Sequence, residues 1–85
     1  MMYYVYLLES VSGQRQRYIG FSTDLRQRLL DHNAGKLPTT AKRRPWLLVT
    51  YLGCSSKKQA LTFEKYLKSG SGHAFARKRL WLSSP

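Results

Sequence analysis

Eighty-five residues carry fifteen Lys and Arg against four Asp and Glu, a formal net charge of +11. That length supports one domain with one modest core, so the whole chain, residues 1–85, is read as a single domain. The lone Cys54 excludes an internal disulfide framework and fits a reducing cytoplasm, and no apolar run approaches the ~18 residues of a membrane span.

The N-terminal MMYYVYLLES lacks the leading positive charge of a secretory signal and runs straight into strand-like sequence. Aromatic and β-branched YYVYLL (3–8) predicts a first strand. A polar loop with Gly13 follows, and RYIGF (17–21) predicts a second strand antiparallel to the first. Ser22 or Thr23 is positioned to cap a helix that runs to Asn33 or Ala34 and stops at Gly35. KLPTTAKRRPW (36–46), with two prolines and four basic residues, reads as an exposed loop. LLVTYLGC (47–54) predicts a third, largely buried strand. Ser55 or Ser56 caps a second helix with Gly70 as its stop, and Gly72 leads into a short basic helix, HAFARKRLW. The fold class is therefore α/β: a small three-stranded, mainly antiparallel sheet flanked by helices, in the order β-β-α-β-α-α.

Strand alternation places Tyr4, Tyr6 and Leu8 on one face of the first strand, and Tyr18 with Gly20 on one face of the second. Arg28 and His32 stand four residues apart on the first helix and point the same way. On the residues alone, the tyrosines also fit a half-buried sheet, Asp24 and Arg28 an i,i+4 ion pair, and His32 a solvated helix end. Glu64 is the one acid beyond Asp31, and Ala60, Phe63 and Leu67 put it beside the buried face of its helix. A carboxylate there needs a cation, either Lys68 at i+4 or a divalent metal. Thr39, Thr40, Lys42, Arg43 and Arg44 are candidate phosphate contacts. Trp46 and Trp81 read as core aromatics.

Taken together, Tyr4-Val5-Tyr6, Tyr18-Ile19-Gly20, Arg28, His32 and Glu64 resemble the GIY-YIG nuclease superfamily over nearly the whole chain. The stretches YIGFSTDLRQRLLDHNAGK, RRPWLLVTYLG and EKYLKSGSG are similar to its small stand-alone bacterial branch, related to the catalytic domain of excision-repair incision subunits. Tyr4 stands where the first motif has glycine, and Val5 where it has isoleucine. The asparagine that some members place near the C-terminal end of the site has no counterpart, since Asn33 is the only asparagine.

The resemblance implies a metal-dependent endonuclease. Glu64 would hold one Mg2+ or Mn2+ ion, Arg28 would contact the scissile phosphate, Tyr6 would act as general base with His32 taking its proton or steadying its charge, and Tyr18 would orient water or phosphate. The roles of the two tyrosines can be exchanged. The expected partner is DNA, structured or damaged, with a further protein as a candidate source of target choice. The expected location is cytoplasmic or nucleoid-associated, with no membrane role. Rival readings are a basic nucleic-acid-binding module without useful catalysis, a nuclease acting on RNA, and a ribosome-associated structural protein.

Overall fold

A computed structural model describes residues 1–12 and 16–81; Gly13 lies outside the described residues. Three strands, β1 (Tyr3–Ser10), β2 (Arg17–Ser22) and β3 (Trp46–Cys54), form one antiparallel sheet in the order β2-β1-β3. Four helices accompany them: α1 (Leu25–Asn33), α2 (Pro38–Ala41), α3 (Lys57–Leu67) and α4 (Gly70–Arg79). The expected order holds, with α2 added inside the segment read as a loop. Pro38 occupies the first turn of α2, where its missing N–H costs nothing and its fixed φ is already helical.

The central position of β1 explains its composition. Both faces are covered, so Val5, Tyr6, Leu7 and Leu8 are all buried and the strand reads as a continuous apolar run. Val5 and Leu7 pack with Ala60 and Leu67 of α3 and Ala76 of α4, with Ile19, Phe21 and Trp81 at the margin. Tyr6 and Leu8 point the other way, against Trp46, Tyr18, Leu48 and the α1 residues Leu25 and Leu29. Burying a side chain such as Leu67 contributes about 1.5–3 kcal/mol, and these two layers hold the sheet between helices.

Three local expectations need correction. β3 is an edge strand and not a largely buried one: Tyr51 and Leu52 are exposed, because only its β1 side is paired. The α1 cap is Asp24, whose carboxylate accepts the Gln27 N–H at 3.1 Å, while the Ser22 hydroxyl accepts the Asp24 N–H at 2.9 Å. The Asp24 carboxylate is therefore spent on a backbone donor at the positive helix end. Gly35, with φ +77°, does close α1 as expected. Gly70, by contrast, is not a stop. α3 ends at Leu67, and Ser69 caps α4 directly by accepting the Gly72 N–H at 3.3 Å.

Candidate active site

The register of the sheet decides where the tyrosines meet. Tyr6 pairs across β1–β2 with Gly20, and Leu8 pairs with Tyr18, so the two tyrosines are diagonal neighbours on one face, ring centroids 6.2 Å apart. Gly20 is where it is because the far end of the Tyr6 ring lies over it. A Cβ there would run into the Tyr6 Cζ and hydroxyl and come within 2.9 Å of Tyr18 Cε2. The missing side chain lets Tyr6 reach across toward the β2 edge of the sheet.

The Tyr6 hydroxyl then meets His32, delivered by the last turn of α1. The Tyr6 oxygen is 2.8 Å from His32 Nε2, and His32 Nδ1 is 2.7 Å from the Thr40 hydroxyl. Tyr18 packs edge-on against the same imidazole at 5.0 Å between centroids. The Thr40 carbonyl accepts the Trp46 indole N–H at 2.9 Å, and Asn33 holds the Trp46 backbone on both sides, at 2.6 and 3.2 Å. Both imidazole nitrogens are thus engaged, and the ring cannot turn without leaving a buried polar atom unpaired.

The remaining two residues bear on the Tyr6 phenol through their charge. Burial holds the Tyr6 phenol well above its ordinary value of 10, and the Tyr18 phenol and the Glu64 carboxylate push the same way. The Arg28 guanidinium opposes them by favouring the phenolate. Arg28 of α1 and Glu64 of α3 therefore both act on the Tyr6 hydroxyl from opposite layers. His32 is pushed below 6.5, chiefly by burial and then by Arg28, with Asp31 acting weakly in the opposite direction. The phenol is neutral at rest, and the imidazole beside it is a neutral base.

A stability effect follows with a fixed sign. The unfolded chain protonates its histidine near 6.5, whereas the fold keeps His32 neutral to lower pH, so the unfolded state binds more protons in between. The contribution of neutral His32 is fully present above pH 6.5 and is lost as pH falls toward the folded value. Urea midpoints should decline from pH 7.5 to pH 5, and more steeply in the wild type than in His32→Gln. Equal slopes in the two proteins would assign the effect to other groups.

Tyr6, Tyr18 and His32 are thus in contact from β1, β2 and α1, and the charges of Arg28 on α1 and Glu64 on α3 bear on the Tyr6 phenol. The expected Lys68 pairing is also present: its ammonium lies 3.4 Å from Glu64 Oε2, and the Glu64 side chain is only 19% exposed. Arg26 is exposed and outside the cluster, in line with its turn of the helix. Thr39, Lys42, Arg43 and Arg44 are exposed, with the Arg44 side chain folded over Gly35. Thr40 is corrected. It is buried and bonded to His32, and is not a phosphate contact but the residue that fixes the imidazole. The signal that could have found it is Pro38, which starts a helical turn and sends Thr39 and Thr40 to different sides.

Among the described residues no three His, Cys, Asp or Glu side chains gather to hold a metal. A lone part-buried carboxylate nevertheless fits magnesium, which takes one or two carboxylates and completes its shell with waters and substrate phosphate. It does not fit structural zinc, which needs four nitrogen or sulfur ligands.

The chain is similar to known proteins. The family model of the GIY-YIG catalytic domain matches residues 2–78. A UPF0213 protein of Streptococcus pneumoniae serotype 4 is 42% identical over 66 residues, 76% of this chain and 65% of that protein, so the chain spans just under two thirds of this relative. A UPF0213 protein of Streptococcus pyogenes serotype M3 is 41% identical, with 70% of its length covered. The solution NMR structure of the UPF0213 protein BH0048 from Bacillus halodurans is 33% identical, with a TM-score of 0.51 over 88% of this chain and 81% of that one. A match running from Met2 to Lys78, through both tyrosine motifs and the helical glutamate, leaves one assignment: the chain belongs to the GIY-YIG catalytic-domain family, a family of nucleases.

Proposed function

We propose that this chain is a divalent-metal-dependent endonuclease that hydrolyses DNA phosphodiesters, with structured or damaged DNA as its substrate class. The observation that carries the reading is the buried Tyr6–His32–Thr40 chain. With its proton on Nδ1, donated to Thr40, His32 offers Nε2 to the Tyr6 O–H. A phenol near or above pKa 10 is a poor base alone. Passing its proton to a neutral imidazole as it takes one from water removes that obstacle.

Arg28 contacts the scissile phosphate and stabilises charge as it develops on the non-bridging oxygens. Tyr18 donates its hydroxyl to orient phosphate or water. Glu64 is the residue that would hold one Mg2+ or Mn2+, released from Lys68 as the site loads. When bound, such an ion supplies Lewis-acid polarisation and charge neutralisation at the phosphate. Exposed Lys42, Arg43 and Arg44 supply sequence-independent attraction for the backbone, so choice of target falls to DNA shape or to a partner protein in a cytoplasmic or nucleoid setting.

The Lys68–Glu64 contact favours a second reading, a basic binding module in which the lysine keeps the carboxylate occupied. Nicking of supercoiled plasmid separates the two. The nuclease reading expects magnesium-dependent nicking, reduced at least ~100-fold in Arg28→Ala and in Glu64→Ala, with circular dichroism unchanged. Full activity in both variants would falsify the site. Labelled RNA and DNA hairpins run side by side decide the substrate class.

A further inference from the structure

The catalytic cluster accounts for one side of Tyr18. Its other side opens into a separate cavity of about 390 Å³, walled by Arg17, Lys68, His73, Arg77 and Trp81. That volume lies within the ~300–1,000 Å³ range of small-ligand sites. No acid lines it. Arg17 is held in place by Glu9 at 3.1 Å and lies over the Trp81 ring at 4.8 Å, giving a fixed wall of guanidinium and indole. His73 and Arg77 are one turn apart on α4 and present donors to the same space. Among the described residues neither has an acidic partner.

Two walls of this cavity belong also to the catalytic cluster: Tyr18 packs on His32, and Lys68 contacts Glu64. A strand whose scissile phosphate sits at Arg28 and Glu64 therefore meets the cavity as it leaves. Clustered donors suit a phosphate, and flat cationic and aromatic walls suit a base. We propose that the cavity is a nucleotide subsite for the residue next to the cleaved bond, its phosphate held by Arg77 and His73 and its base laid against the Arg17–Trp81 wall. This assignment rests on the endonuclease reading for what the neighbouring site does, but its own test needs no cleavage.

The probe is a fluorescently labelled ten-nucleotide single strand, with binding to the full chain followed by anisotropy in chelator. Arg77→Ala is exposed and leaves the core untouched. It should weaken binding about 10-fold, whereas Lys57→Ala, the same loss of charge at the start of α3, should weaken it no more than about 2-fold. Abasic substitutions in the probe should weaken binding to the wild type and cost less in Arg77→Ala. Equal, small losses for Arg77→Ala and Lys57→Ala, or an abasic probe that binds like the intact one, overturn the subsite. If the Arg77 dependence appears but the wild type with magnesium never nicks plasmid, the subsite stands and the endonuclease reading fails. Nicking without Arg77 dependence gives the converse.

Discussion

Tyr6→Phe should abolish plasmid nicking, with a loss of about 10²–10⁴-fold, the range of a general base, while the protein keeps its fold. The ring still fills the space over Gly20, so packing is retained. What is lost is the hydroxyl that meets His32 Nε2, leaving that nitrogen buried and unpaired at about 1–3 kcal/mol. That is a fraction of the 5–15 kcal/mol typical of a domain. The same proton route sets the acid limb of the wild-type rate. His32 must be neutral to receive the proton, and burial with Arg28 places its titration below 6.5, so kcat/KM should hold from pH 8 to 6.5 and fall only below that. A Tyr6→Phe protein that nicks within threefold of wild type would remove Tyr6 from the chemistry.

The largest stability effect is expected at a glycine, and two glycines in one turn make a controlled pair. Gly72→Ala sets a Cβ against the Tyr66 carbonyl and within 2.8 Å of Leu67 Cα, both backbone of α3 that cannot rotate away. Helix propensity alone favours alanine by about 1 kcal/mol. Overpacking costs about 3 kcal/mol against rigid neighbours, so the clash wins by about 2 kcal/mol. At 4–8 °C per kcal/mol for a chain of this size, the melting temperature should drop by about 8–16 °C. Gly70→Ala, whose Cβ meets nothing within 4 Å, should melt at or above wild type. Equal melting of the two variants would mean that α3 and α4 are not closely apposed at Gly72.

The sheet was legible because β-branched and aromatic runs announce strands, and alternation correctly paired Tyr6 with Leu8 and Tyr18 with Gly20. What alternation lacks is sheet order. YYVYLL and LLVTYLGC are both rich in apolar residues, yet the first is the buried centre and the second an exposed edge, a distinction made mainly by which strands pair. The contact of Tyr6, Tyr18 and His32 matches strand alternation and the family resemblance taken together, since spacing alone left each of them a bland alternative. The rest of the arrangement around His32 was not legible. Thr40 beside three basic residues looks solvated, and only the α2 turn reverses it into the core. Gly70 read as a helix stop because glycine ends helices, but Ser69 as a cap and the close approach at Gly72 make this stretch a helix start.

The catalytic phenol proposed here is also one of the largest fully buried side chains, seated in the middle strand of the sheet. Mutational drift that loosens this layer therefore unseats the reactive oxygen before it melts the molecule, and turnover and foldedness cannot evolve as separate traits. Substitutions on the basic turn and the exposed α4 surface leave this layer untouched.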